Sequence, residues 1–172
     1  MTVVTDDLTS RIAQSTDEWR RQLAEMAATG RPHTFDVRTP LLKQGRTNLP
    51  LAATDKLSVV LKCYAQGGEN ALHAHPYEDH VFLILQGRAE FRGPGGEVRV
   101  LGANQGIMLP AGSLYRFEAQ GEENLVLLRI GTTVVEGEDP LARIDEDGQP
   151  FDGYSEGNRE VEIVFDEGRT FG

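Results

Sequence analysis

Apolar residues near the N-terminus recur at helical spacing and predict one amphipathic helix. Its apolar stripe consists of Trp19, Leu23, Met26 and Ala27. Ser15, followed three residues later by Glu18, forms a capping box and predicts where the helix begins. Gly30 and Pro32 predict where it ends. Because such a stripe must be covered, we expect the helix to dock on a sheet or on another subunit.

After Pro32 the apolar residues come in short runs separated by turn residues, a pattern typical of strands. The predicted strands are 57–64, 71–75, 80–85, 88–92, 97–101, 106–109, 114–118 and 125–130, with a late strand around Val161, Ile163 and Phe165. The Gly-Pro-Gly-Gly sequence at 93–96 is a turn. This spacing predicts an all-β (mainly β) sandwich or barrel rather than a nucleotide-binding α/β fold.

The predicted strand 80–85 has two apolar faces. One face carries His80, Phe82 and Ile84, and the other carries apolar residues at 81, 83 and 85. Both faces should therefore be buried, one in a barrel interior and the other against a second layer or a partner subunit. This strand is the basis for expecting a homodimer.

Composition narrows the class of protein. A chain of 172 residues with 39% hydrophobic residues suits one globular domain. The net charge of −10 disfavours nucleic acid and anionic membranes as partners, and no apolar run is long enough to span a membrane. Residues 1–10 lack the features of a signal peptide, and Cys63 is the single cysteine, so we expect a cytoplasmic protein without an intrachain disulfide.

The charge is concentrated in the C-terminal segment. Residues 136–172 contain twelve acidic residues and three arginines, a net of −9, so the remainder of the chain is almost neutral. We therefore divide the chain into an N-terminal helix and extended arm at 1–50, a barrel core at 51–135 and an acidic C-terminal extension at 136–172 that packs on or near the barrel.

Three of the four histidines lie within eight residues: His73, His75 and His80. Residues two apart on a strand point to the same face, so His73 and His75 are placed to share an ion. The short link 76–79 allows His80 to fold back beside them. Three converging imidazoles leave open positions on an ion for water and substrate, and they suit iron, zinc, copper or nickel.

The surroundings of these histidines resemble a known family. The pattern Gly67-x5-His73-x-His75-x4-His80-x6-Gly87 resembles the first cupin motif, and residues 110–115, Pro-Ala-Gly-Ser-Leu-Tyr, resemble the second. The resemblance covers roughly residues 57–130. It implies a double-stranded β-helix, or jelly-roll, barrel with one metal ion, which here carries an N-terminal α-helix and a C-terminal acidic extension.

Two positions depart from the ligands that the resemblance implies, which are three histidines and a glutamate. His80 stands where the glutamate is expected, with Asp79 as the alternative under a shorter gap, and alternation allows only one of them on the ligand face. Tyr115 stands where the last histidine is expected. Tyr115 is therefore a ligand, an acid/base group that contacts the substrate, or a packing residue.

The resemblance implies a metal-dependent enzyme for a small anionic organic substrate, with a non-haem Fe(II) dioxygenase as the leading hypothesis. Zn, Ni or Mn in an isomerase, cyclase or lyase is the alternative, and a non-catalytic small-molecule-binding cupin is the third. Because neutral imidazoles leave the charge of the ion uncompensated, an anionic substrate is favoured. By alternation, the pocket should be lined by Phe82, Ile84, Phe117 and Met108.

Overall fold

A computed structural model describes residues 8–172. Residues 1–7, which belong to the predicted N-terminal segment and to the region tested for a signal peptide, lie outside the described residues. The predicted helix is confirmed as α1 (Thr16–Ala28), and Ser15 Oγ accepts a hydrogen bond from Glu18 N at 3.1 Å. The Glu18 carboxylate closes the cap one residue earlier than a capping box requires, by accepting from Gln14 N at 2.8 Å.

Ten strands follow α1 within residues 8–172. They are β1 (Thr39–Gln44), β2 (Arg46–Ala53), β3 (Leu57–Tyr64), β4 (Glu78–Gln86), β5 (Arg88–Arg92), β6 (Val98–Gly102), β7 (Gly106–Leu109), β8 (Arg116–Ala119), β9 (Leu125–Thr133) and β10 (Val164–Phe171). All strand pairs are antiparallel, which confirms the mainly β fold predicted from the turn spacing. No helix in this part of the chain is long and apolar enough to cross a membrane.

The strands form three sheets with two cores between them. The large sheet has the order β2-β3-β9-β4-β7, and the second has the order β6-β5-β8. The core between these two sheets contains Tyr64, Phe82, Ile84, Ala89, Phe91, Leu109, Tyr115, Phe117, Leu125 and Leu127. We call the side of the large sheet that faces this core its inner face, and the opposite side its outer face.

The outer face of the large sheet is covered by other parts of the same chain. It carries Leu49, Leu61, Cys63 and Val126, which pack against Leu41 and Leu42 of β1 and against side chains of β10. The second layer that the two-faced strand required is thus supplied in part by the β1–β10 pair. The expected homodimer stays a prediction.

The structure corrects three details of the predicted elements. The part of segment 1–50 that follows α1, expected as an extended arm, contains β1 and most of β2, and β2 crosses the boundary drawn at residue 50 while pairing with β3. The predicted strand 71–75 is reduced to isolated bridges at His73 and Ala74. The division into three segments remains an interpretation of the sequence.

Candidate metal and substrate site

The segment with His73 and His75 is held by backbone hydrogen bonds on both sides. His73 N donates to Tyr115 O at 3.0 Å, and Tyr115 N donates to His73 O at 2.9 Å. On the other edge, Ala74 N donates to Ile144 O at 2.9 Å. This extended backbone turns the two histidine side chains to one side, away from Ala74. The same-face placement expected from the His-x-His spacing is therefore present.

His80 joins this pair from the inner face of β4. The ring centroids of His73 and His75 are 5.3 Å apart, and those of His75 and His80 are 5.2 Å apart. We call His73, His75 and His80 the histidine cluster. Its members are only 1–2% exposed, and Tyr115, whose ring lies 4.6 Å from that of His73, is 4% exposed. The cluster is therefore dry and closed in this structure.

The histidines of the cluster are held in the neutral form. Burial is the main cause that lowers the pKa of His73 and His75 well below the usual value, and it lowers the pKa of His80 to about 2. His73 Nδ1 lies 2.8 Å from Ala71 O. Because a carbonyl oxygen only accepts, Nδ1 carries the proton and Nε2 keeps its lone pair. This is the tautomer that a metal-binding histidine needs.

Tyr115 lies beside His80 at the centre of the site. Burial raises the pKa of Tyr115 to about 12, so the phenol is protonated at neutral pH. Tyr115 Oη and His80 Nε2 are 3.0 Å apart, and the neutral imidazole accepts the hydrogen bond that the phenol donates. The proton of His80 then resides on Nδ1, which points towards Glu78 Oε2 at 3.6 Å.

Glu78 is engaged by Arg129 across the inner face of the large sheet. Arg129 Nη1 donates to Glu78 Oε1 at 3.1 Å, and a second contact joins Nη2 to Oε2. Both side chains are 1% exposed. Gly131 leaves the space that the carboxylate occupies, because a Cβ at this position would overlap it. Glu78 therefore acts as the counterion of Arg129 rather than as a free donor.

The donor set of the histidine cluster fits a transition metal in its chemistry. The imidazoles are neutral, and His75 Nδ1 is buried with no hydrogen-bond partner in the described chain, as a ligand atom without its ion would be. As it stands, no group of three His, Cys, Asp or Glu side chains within residues 8–172 is arranged to hold a metal. Binding would therefore require the rings to reorient.

The structure brings some of the predicted site residues together and separates others. Phe82 and Phe117 are buried beside the cluster, and the Phe82 ring lies 5.2 Å from that of His80, whereas Ile84 lies deeper in the same core. Asp79 points elsewhere, and its carboxylate accepts a hydrogen bond from the backbone of residue 111 at 2.7 Å. Met108, expected to line the pocket, is 63% exposed on β7. Alternation within that short strand turns Met108 outwards, so its predicted lining role is corrected.

The sequence analysis missed the cations near the cluster. Lys62 and Arg129 lie on the inner face of β3 and β9, and their charges lower the pKa of His73 and His80, as the charge of Arg143 does for His73. A signal was present, because a lone lysine or arginine interrupts each of two aliphatic strands. A charge inside an otherwise buried strand is retained only where it finds a partner.

A C-terminal hairpin covers the histidine cluster. Ile144 pairs with Pro150, and Phe151 N donates to Arg143 O at 3.2 Å, which makes residues 143–151 a hairpin. The Phe151 ring lies 6.3 Å from that of His73, at an interplanar angle of 90°. The acidic extension thus packs on the barrel, and part of it shields the site from solvent.

Comparison with solved structures finds similar folds at low sequence identity. A cupin-like protein from Thermotoga maritima aligns over 64% of this chain and 79% of its own, with a TM-score of 0.50 and 16% identity. KdgF from Halomonas sp. has a TM-score of 0.48 at 20% identity, over 54% of this chain and 82% of its own. The DMSP lyase DddQ from Ruegeria pomeroyi DSS-3 has a TM-score of 0.46 at 24% identity, over 56% of this chain and 46% of its own.

These identities concern the fold alone, and no curated protein sequence matches the chain. A family model described as the cupin domain matches residues 60–131. That range runs from β3 to β9 and includes both sequence motifs and the whole histidine cluster. The motifs, the two facing sheets and this match agree that residues 60–131 form a cupin domain.

Proposed function

We propose that this protein is a metal-dependent enzyme that acts on a small organic anion, with one divalent transition metal on His73, His75 and His80. The observation that carries the proposal is the set of three neutral, buried imidazoles that share one dry space with a protonated phenol. Fe(II) and a dioxygenase reaction are the leading form of the proposal. The metal would supply Lewis acidity and, as Fe(II), the capacity to activate oxygen.

The residues of this chain would bind, orient and protect the reactants. The three imidazoles bring no negative charge, so an anionic substrate would be favoured over a neutral one. The exclusion of water by Phe82, Phe117 and Phe151 would strengthen every electrostatic contact inside the site and prevent side reactions. Because the cluster is closed, entry of a substrate requires the hairpin 143–151 or its side chains to move.

Tyr115 favours a second candidate function, a Zn, Ni or Mn enzyme that isomerises, cyclises or eliminates. Its phenol keeps a proton that is hydrogen-bonded to His80 Nε2 at 3.0 Å. A positioned acid of this kind would return a proton to an enolate carbon or oxygen. In the dioxygenase, Tyr115 would instead orient the substrate by donating its hydrogen bond to the substrate rather than to His80.

The first experiment is elemental analysis of the full chain purified without a metal-binding tag. About one metal per chain in the wild type and its loss in His75→Ala would support the proposal. The matched control is His33→Ala, because His33 lies on the exposed segment after α1 and should not affect metal content. Equal metal content in the wild type and in His75→Ala would contradict the assignment of the site.

The identity of the metal then separates the candidate functions. With iron, oxygen uptake during a screen of enols, diketones and thiols is the expected result. With zinc, nickel or manganese, conversion of the same substrates without oxygen uptake would favour the second candidate. Absence of metal after reconstitution with each of these ions would overturn the enzyme proposal in favour of a non-catalytic binding protein.

A further inference from the structure

Four basic side chains lie inside the barrel or line the cavity beside it: Arg46, Lys62, Arg129 and Arg143. Two of the cations have counterions. Arg46 pairs with Glu160 at 2.5 Å and also donates to backbone carbonyls, and Arg129 pairs with Glu78. Two further cations near the same site, Lys62 and Arg143, have no carboxylate within ion-pair distance among residues 8–172. The burial of Lys62 and Arg143 without a counterion therefore needs an explanation.

Lys62 is a buried basic group with no carboxylate within ion-pair distance among residues 8–172. It points from β3 into the inner core, it is 5% exposed, and its Nζ lies 5.3 Å from the ring centroid of Trp19 and 5.6 Å from that of Tyr64. Burial lowers the pKa of Lys62 well below its usual value, and Arg143 is the charge that adds most to this effect. Aromatic faces alone compensate a buried charge only partly. An arriving anion would therefore be strongly stabilised here.

Arg143 stands between the histidine cluster and a cavity at the barrel entrance. Its guanidinium lies against Gly153, where a Cβ would come within 2.7 Å of Nη1. Burial lowers the pKa of Arg143, and of all the charges its own has the largest effect on the pKa of His73. It lines a cavity of about 340 Å³ together with Phe151, which shields His73. Arg143 thus connects the cavity with the cluster.

The other charged side chains that line this cavity already have interaction partners. Arg20 Nη1 pairs with Asp17 and Arg20 Nη2 with Asp139, each at 2.6 Å. Asp152 accepts a hydrogen bond from the backbone of residue 154 at 2.7 Å. Within the cavity, Arg143 is therefore the cation whose donors are available to a ligand.

We propose that Arg143, which lines the cavity, binds an acidic group, a carboxylate or a phosphate, of a small ligand that enters between the hairpin 143–151 and the barrel, with the buried amine of Lys62 as a second, more distant basic group. An anion there would accept charge-assisted hydrogen bonds from the guanidinium of Arg143, and its negative charge would also favour protonation of the Lys62 amine. The inference deepens the proposed function, because it assigns the anionic end of the substrate. It requires no metal, so the two proposals fail or succeed separately.

The test measures anion binding to the full chain after treatment with a chelator. Inorganic phosphate, acetate, malonate and succinate are titrated by calorimetry and by thermal shift, at low and at physiological salt. We expect at least one of these probes to bind and to raise the melting temperature, more strongly at low salt. The response of phosphate relative to the carboxylates identifies the acidic group. No binding of any probe would overturn the proposal.

The variants assign the site. Arg143→Gln should weaken binding of the responding probe by about 10- to 100-fold, the effect of a lost hydrogen bond to a charged group. Lys62→Met should weaken it less, because Lys62 does not line the cavity. Arg143→Lys should recover part of the loss, because it restores the charge but not the planar fork. Arg20→Gln is the matched control, since Arg20 lines the same cavity but is paired, and it should bind within about twofold of the wild type.

A purely structural role for these cations predicts a different result. If they only maintain the fold, Lys62→Met and Arg143→Gln should melt at lower temperature without ligand. The proposal expects the ligand-free variants to melt at or above the wild-type temperature, because an unpaired buried charge has been removed. Unchanged affinity in Arg143→Gln, or loss of binding in Arg20→Gln instead, would overturn the assignment even if Lys62→Met does not fold.

Discussion

The two faces of the large sheet are built from alternating residues of the same strands, yet they differ in chemistry. On β3 and β9 the outer face carries Leu61, Cys63 and Val126, all of them apolar. The inner face of the same two strands carries Lys62 and Arg129 at positions that alternation buries equally well. The outer face is a packing surface that stabilises the fold, whereas the inner face keeps charged groups whose burial needs another justification.

This difference teaches where function lies in the molecule. Replacing Glu78 and Arg129 together by apolar residues of similar volume would give a second apolar core, which is often as stable as a buried ion pair or more so. The charged side chains of the inner face lie next to the histidine cluster. A metal ion or a ligand bound there would interact with these charges. The following predictions test the contrast between the two faces.

The largest effect is expected from breaking the buried ion pair on the inner face. Arg129→Met leaves Glu78 as an unpaired carboxylate that is 1% exposed, and we expect a loss of about 3–5 kcal/mol in the free energy of unfolding. Urea denaturation measures it. The double variant Glu78→Gln/Arg129→Met should recover most of the loss, because it removes both charges. A double variant as unstable as the single one would contradict this account.

The histidine cluster on the inner face should also make the free energy of unfolding depend on pH. Burial lowers the pKa of all three cluster histidines in the folded chain, whereas the unfolded chain keeps values near 6.5. Their neutral forms thus favour folding above pH 6.5, and stability is lost as the pH falls below 6.5 towards the folded pKa, about 2 for His80. With three histidines, the free energy of unfolding should fall by up to about 4 kcal/mol per pH unit below 6.5.

Chemical denaturation of chelator-treated protein at pH 7.5, 6.5 and 5.5 measures this slope above the range where most carboxylates titrate. His75→Gln is the matched variant, and it should remove about one third of the slope. A free energy of unfolding that stays constant between pH 7.5 and 5.5 would show that the cluster takes up protons without unfolding.

On the outer face, the free energy of unfolding should depend on side-chain volume rather than on charge. Leu61→Ala opens a cavity between the large sheet and the β1–β10 pair, and we expect a loss of about 3 kcal/mol in the free energy of unfolding. Metal content per folded chain and anion affinity should be unchanged, because the substituted side chain points away from the histidine cluster. Loss of metal in folded Leu61→Ala would show that the two faces are coupled.

The parts of the fold that local pattern determines were predicted correctly. The capping Ser15 and the apolar stripe specify α1 because both act within a few residues. Alternation on β4 allows only one of His80 and Asp79 to lie with the other histidines, and His80, favoured by its spacing to Gly87, is the one that does. The strand 80–85, now part of β4, was recognised as having two buried faces for the same reason.

The parts that depend on distant chain segments could not be predicted from local pattern. β1 pairs with β10, whose residues lie more than a hundred positions away, and the segment at His73 is held in place by Tyr115 and Ile144. Met108 was misplaced because four residues of β7 define the period too weakly to show which side faces inwards. The position of Arg143 depends on the hairpin 143–151, which brings it to the barrel. No sequence motif predicts that this hairpin contacts the barrel.

The smallest effect is expected from substituting Cys63, whose thiol lies on the outer face. Its thiol donates a hydrogen bond to Asn124 Oδ1 at 3.3 Å, and burial raises its pKa to about 12. Cys63→Ala should therefore lower the free energy of unfolding by only about 1 kcal/mol, and the native thiol should react with Ellman's reagent no faster than the chain unfolds. The control is the same reaction in denaturant, where it should be complete within minutes. Fast labelling under native conditions would mean that the β1–β10 pair detaches from the large sheet without global unfolding. The outer face would then be the mobile one, and the contrast between a static packing surface and a functional inner face would have to be revised.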